Sequence, residues 1–316
     1  MITRACAALA ALLLSGCASV FTPPQTAALQ TRPPQDLAPR VERAEVPFFA
    51  QERDHCGPAA LAMALVHAGI PADPDRLADA VFLPSRAGSL QLEMIGGARR
   101  QGAVATRLPR ELEALLREVA AGHPVVVLQN LGLEWFPRWH YAVVIGYDVG
   151  RHEILLRSGT TPRVALPLRT FEYTWARGGH WAIAVLPPDR LPATALQADA
   201  QDAAIGFERA APPARAALAY RTLLARWPDN LLAGIGLGNA LNAGGDAAGA
   251  RAAFEAVATR HDSAVAWINL ARLRLDAGDR AGARKAAQRG LQRANTAEPA
   301  WRDAAAAALA AADDRH

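Results

Sequence analysis

Between residues 46 and 188 the apolar pattern changes its period once, and the order of that change narrows the fold. Two helical stretches come first. "CGPAALAMALVHAG" reads as a helix closed by Gly69, with Leu61, Leu65 and Val66 available to a buried face, and "PRELEALLREVAAG" as another, stopped by Gly122. Four short apolar runs of strand length follow: "PVVVLQN", "HYAVVIGYD", "EILLRSG" and "HWAIAVLP". Helices followed by strands, rather than alternating with them, predict an α+β domain and not a wound βαβ sheet. "LPPDRLP" closes it, which bounds the domain at 45–190.

Beyond that point the pattern is almost pure helix, and it repeats. Ala216, Ala250 and Ala283 are separated by 34 and 33 residues, and Tyr220, Phe254 and Ala287 follow each by four. Leu237-Gly238 and Leu270-Ala271 are 33 apart, and Trp267 and Trp301 are 34 apart. Small residues let the two helices of a hairpin approach, and a ring one turn later fills the gap to the next hairpin. Pro228 and Pro299 fall where such hairpins would turn. Period and order resemble the tetratricopeptide repeat. The resemblance implies an all-α repeat domain over 196–314, with about three repeats and "AWRDAAAAALAAADD" as a terminal helix. Its concave surface would take a protein partner.

At the other end, "MITRACAALAALLLSGC" has a basic start at Arg4, an apolar run and then small residues. That is a secretory signal, too short for a stable membrane span. "LSGC", Leu14 to Cys17, resembles the lipobox of bacterial lipoproteins. The resemblance implies that residues 1–16 are a signal peptide and that Cys17 is acylated, giving a membrane contact through lipid. Ala18 is not the aspartate that retains such proteins at the inner membrane. The implied location is the periplasmic face of the outer membrane of a Gram-negative bacterium. Residues 17–44, with two Pro-Pro pairs and few large apolar groups, read as a disordered tether.

Charge excludes several functions. The net charge is only +4, Lys285 is the single lysine, and the arginines are scattered. No nucleic-acid stripe or polybasic patch is expected from such a distribution. Lys285 sits in "GARKAA", so no P-loop is available, and no HExxH zinc motif is present. Of three cysteines, Cys6 lies in the signal and Cys17 in the lipobox, which leaves Cys56 as the free thiol of the mature chain. In an oxidising compartment a leftover thiol calls for an explanation.

Cys56 stands at a helix start, where the macrodipole and unpaired N–H groups favour the thiolate. Glu52, Arg53, Asp54 and His55 precede it, which places it at a solvent-facing edge rather than mid-core. A nucleophilic thiol needs a base. Among eight histidines, His140 and His180 are the two expected to open apolar strands, from which an imidazole can reach a site at the sheet end. "Q-x4-CGPAALAMAL" followed by "WHYAVVIGYD" resembles the C39 family of papain-like cysteine peptidases, over roughly residues 46–188. By that resemblance Cys56 is the nucleophile, His140 the general base and acid, and Gln51 an oxyanion donor beside the Cys56 N–H. Losing one such donor typically costs about 2.7–4 kcal/mol of transition-state stabilisation. The family places an aspartate on the strand after the histidine. Here that strand reads "EILLRSG", so Ser158 takes the place, with Asp148 and Asn130 as alternative orienting residues. No cofactor is implied.

The expectation is a membrane-anchored periplasmic cysteine peptidase acting on peptide or protein substrates. Two alternatives stand beside it: a degenerate, non-catalytic domain serving as a binding scaffold, and a cell-wall peptide amidase with the same Cys-then-His order.

Overall fold

The computed structural model describes residues 22–50, 55–86 and 88–314. The chain forms two compact units. One holds residues up to 101, 105–186 and 192–196; the other holds 197 onward with the short segments 102–104 and 187–191.

The first unit is α+β. In chain order it contains α1 (Pro24–Thr31), β1 (Arg40–Glu42), α2 (Cys56–His67), α3 (Pro74–Val81), α4 (Gln91–Arg100), β2 (Val104–Arg107) and α5 (Leu112–Ala120). Then come β3 (Val125–Asn130), β4 (Trp139–Asp148), β5 (Glu153–Ser158), β6 (Thr161–Pro167), α6 (Leu168–Arg177) and β7 (Ala182–Leu186). Among the described residues the sheet order is β2-β7-β3-β4-β5-β6, with β1 beside the far end of β4. β3 pairs with both β4 and β7, and the β4–β5–β6 meander is antiparallel throughout.

Both faces of the sheet are covered, which is why its central strands are continuous apolar runs rather than alternating ones. Ala142 and Val144 of β4 and Val125 and Val127 of β3 pack with Leu112, Leu115, Leu116 and Val119 of α5 and with Phe171 and Trp175 of α6. On the other face α2 packs against β3, β4 and β7. Every residue from Gly57 to Leu65 is buried, as expected of a helix that is apolar all round; Val66 is only partly so. Both expected helices stop at left-handed glycines, Gly69 (φ 78°) and Gly122 (φ 91°).

Two expectations are corrected. The segment 17–44 is not a disordered tether in its described part. Pro24 opens α1, where a proline's missing N–H costs nothing and its fixed φ suits a helix start. The second Pro-Pro pair, Pro33-Pro34, lies just beyond the helix end. The buried carboxylate of Glu172 accepts hydrogen bonds from the N–H groups of Gln25 and Thr26 (3.0 and 2.6 Å) and from the Thr26 hydroxyl (2.6 Å). Leu29 joins the core, and β1 pairs with Gly146–Asp148. The domain therefore begins before residue 45. The second correction is His180, which does not open a strand. It lies in the turn before β7 with φ 53°.

The second unit is all helix: α7 (Gln197–Glu208), α8 (Pro213–Arg226), α9 (Leu231–Ala243), α10 (Ala247–His261), α11 (Ala264–Asp276), α12 (Arg280–Thr296) and α13 (Arg302–Asp313). Small residues and rings meet as the spacing demands. A Cβ on Gly238 would lie 2.6 Å from the Phe254 ring, and one on Gly236 2.3 Å from the Tyr220 ring. Turn chemistry repeats with the same period. Asp246 and Asp279 cap α10 and α12 by accepting from the N–H of Gly249 and Gly282.

Candidate active site

Cys56 is the first residue of α2, and its thiol is half-buried. Its placement follows from two neighbours in sequence. His55 turns away to pack edge-on against Phe82, ring centroids 5.0 Å apart. Gly57 adopts ordinary helical backbone, so its value is space and not an unusual conformation. A Cβ there would stand 2.6 Å from the Ser89 hydroxyl and 2.8 Å from Ser89 Cβ. Glycine thus lets the 88–90 segment lie against the helix start.

The strand that carries His140 meets this helix start. Leu128 N–H of β3 is directed to the Trp181 carbonyl of the adjoining chain segment (3.2 Å). Leu128 and Tyr141 therefore face each other as a non-hydrogen-bonded pair, and the Tyr141 N–H points to the opposite side of β4. There β5 has already ended at Ser158, and the donor meets Cys56 Sγ instead, at 3.5 Å. The Tyr141 hydroxyl donates to the Ser89 carbonyl (3.1 Å), tying the same segment that Gly57 admits.

His140, one residue earlier, has Nε2 2.8 Å from the Ser158 hydroxyl. Ser158 is the last residue of β5, held by the tight turn through Gly159 (φ 59°) into β6. Next to it the mostly buried Arg157 donates to the Val46 and Ala44 carbonyls, fixing the chain segment that leads toward Cys56. Burial, and then the charge of Arg138, hold the His140 imidazole below its ordinary value. Burial and the neighbouring Cys56 push the Tyr141 phenol up.

The other orienting candidates are engaged elsewhere. Asn130 Oδ1 accepts from the N–H of Gly132 and Arg138 (2.9 and 2.8 Å), and its amide donates to the Leu133 carbonyl. It shapes the loop before β4, whose Trp135 and Phe136 are about four-fifths exposed (81% and 79%). Asp148 stands at the far end of β4, roughly 26 Å along the strand from His140, and accepts from the Arg151 N–H. His180 packs edge-on against Trp175 at 4.7 Å. Gln51 and Cys17 lie outside the described residues.

Tyr141, Ser89 and Arg138 were not singled out in the sequence. Only Tyr141 carried a usable signal, as the residue after the histidine on a strand edge. No three His, Cys, Asp or Glu side chains among the described residues converge as metal ligands would. A thiol at a helix start, a backbone donor beside it and, one residue earlier on the same strand, an imidazole held by a hydroxyl are parts that acyl transfer could use.

No curated protein matches the chain. A structure described as a C39-like peptidase from Bacillus anthracis aligns at 22% identity over 46% of this chain and 97% of its own, with a TM-score of 0.40. A double glycine motif protease from an AMS/PCAT transporter, in complex with the leader peptide, aligns at 24% identity over 46% and 92%, with a TM-score of 0.36. The type III secretion chaperone SycD of Yersinia enterocolitica, in complex with a peptide of the translocator YopD, aligns at 15% identity over 36% and 88%, TM-score 0.33. Residues 43–182 match the model of the Peptidase_C39 like family.

Proposed function

We propose that the first unit is a cysteine peptidase acting on peptide or protein substrates, held at the outer membrane by an acylated Cys17. The observation that carries the catalytic part is the meeting of α2 with β4. Tyr141 N–H lies 3.5 Å from Cys56 Sγ, while the adjacent His140 has Nε2 2.8 Å from Ser158. With Nε2 engaged, Nδ1 is the nitrogen left to exchange a proton with the thiol. The thiol proton passes to Nδ1 as Sγ attacks the amide carbonyl, and the helix start supplies backbone N–H groups toward the oxyanion. Collapse of the tetrahedral intermediate breaks the C–N bond, and the imidazolium gives its proton to the leaving amine. Water then attacks the thioester with His140 as base, releasing the acid and restoring the thiol.

The second unit serves as a tetratricopeptide-type binding domain for a protein partner. Three helix pairs, α7/α8, α9/α10 and α11/α12, followed by α13, support that reading. A thiol-directed peptide probe tests the catalytic claim on the full chain. Labelling and peptide hydrolysis should both vanish in Cys56→Ala with circular dichroism unchanged; hydrolysis that survives refutes it. Loss of radiolabelled palmitate in Cys17→Ala tests the anchor.

One observation favours the scaffold reading instead. The partner of His140 is a neutral hydroxyl, which stabilises an imidazolium less than a carboxylate does. That reading predicts no hydrolysis in the wild-type chain.

A further inference from the structure

A cleft of about 290 Å³ opens beside the candidate catalytic centre. Its wall includes Gln91, Leu92, Arg107, Leu108, Arg110 and the turn Gly178–Ala182. Trp181, in that turn, packs edge-on against Tyr141 with centroids 5.6 Å apart, and the Tyr141 N–H is the group facing Cys56 Sγ. Contacts thus run from the cleft wall through Trp181 and Tyr141 to the sulfur.

The chemistry of the wall is one-sided. It holds two guanidinium groups and no carboxylate. Arg107 and Arg110 are exposed, and neither forms an ion pair among the described residues, although ten other pairs are present. The indole Nε1 of Trp181, a donor only, is buried without a hydrogen-bond partner, as is Nε2 of His180. The Glu172 carboxylate, which faces His180 from α6, is already committed to Gln25 and Thr26. Leu92 and Leu108 add an aliphatic side. Unpaired guanidiniums fit planar anions in two-pronged fashion, and the aliphatic side fits a methylene stem.

We propose that this cleft is a substrate subsite for a carboxylate of the peptide attacked at Cys56, either an acidic side chain or a free C-terminus. The assignment rests on the peptidase reading for its purpose, but its test does not require turnover. Protection of Cys56 from iodoacetamide is measured on the full chain with hexapeptide pools that differ only in glutamate versus glutamine. Each pool is made both as free acid and as C-terminal amide.

The glutamate pool should protect at a concentration lower by about tenfold or more, the size of one charge-assisted hydrogen bond. In Arg107→Gln/Arg110→Gln the difference should shrink to within about twofold, with thermal unfolding unchanged. Discrimination by glutamate in the amide pools assigns the subsite to a side chain. Discrimination by the free acid alone assigns it to a C-terminus. Equal protection by all pools, none by any, or discrimination untouched in the double variant overturns the proposal. Charge discrimination without hydrolysis would uphold the subsite and sink the peptidase reading; hydrolysis without discrimination would do the reverse.

Discussion

Replacing Ser158 by alanine, and separately by aspartate, tests whether the His140 imidazole works as positioned. In the wild-type chain the Ser158 hydroxyl lies 2.8 Å from Nε2. Alanine removes that partner from a half-buried ring. The loss should be about 1.5–3 kcal/mol when the ring is charged, or about tenfold to 150-fold in kcat/KM. Aspartate puts a full negative charge in the place of a dipole, and an opposite charge so close raises a histidine pKa by about 1–3 units. In the wild type, burial and then Arg138 hold His140 below its ordinary 6.5. In the proposed mechanism the neutral ring is the base, so wild-type activity should persist as pH falls past 6.5 and fade only at the lower folded value. Ser158→Asp should move that acid limb to higher pH. Peptide hydrolysis across pH gives the limb, and the His140 Cε1–H resonance gives the same titration independently of turnover. Wild-type kcat/KM in Ser158→Ala, together with an unmoved His140 titration in Ser158→Asp, would refute the assignment.

Three further changes probe the framework. Gly57→Ala sets a Cβ 2.6 Å from the Ser89 hydroxyl and should cost about 1–3 kcal/mol of stability, as overpacking does; an unchanged urea midpoint contradicts the close approach. Glu118 is buried and would be pushed up by burial, but hydrogen bonds from His123 and Thr194 outweigh that and leave it below 4.5. Its stabilisation is full above 4.5 and is lost as pH falls through the lower folded value. Glu118→Gln should therefore be about 1.5–3 kcal/mol less stable at neutral pH and flatter in acid, and identical acid slopes would argue against it. Phe254→Ala empties the space beside Gly238 and should cost about 3–5 kcal/mol, read as earlier thermal loss of helicity; no shift in that transition would deny the ring its role.

The elements with a strong period were legible in the sequence, and those that depend on distant partners were not. α2 and α5 have apolar faces and glycine stops, and β3, β4, β5 and β7 are short apolar runs of buried strand. β6 has an exposed, broken pattern, and it exists because β5 offers it an edge. α1 has almost no apolar face to announce it. What makes it a helix is the carboxylate of Glu172, some 146 residues away, accepting at its N-terminus. Pro-Pro in isolation reads as extended chain; with a buried acceptor waiting, the second proline becomes a helix start. His180 failed for a similar reason. The apolar run begins at Ala182, and the two residues before it are consumed by a turn whose left-handed φ no periodicity reveals.

The site shows the same division. Cys56 and His140 stand beside local signals, a helix start and a strand start. The orienting role had three candidates, Ser158, Asp148 and Asn130, because sequence gives the length of β4 but not which end of β5 lies beside its beginning. The antiparallel register separates their positions: Val143 pairs with Arg157, so Ser158 lies toward His140 while Asp148 is carried to the opposite end. That register also frees the Tyr141 N–H for the sulfur, since β5 stops one residue short of covering it. The ordering of the tether has a consequence of its own. With α1 beginning at Pro24, six residue steps separate Cys17 from Pro23, a reach of at most roughly 21 Å. An acylated Cys17 would hold the peptidase unit against the bilayer surface rather than at the end of a long leash.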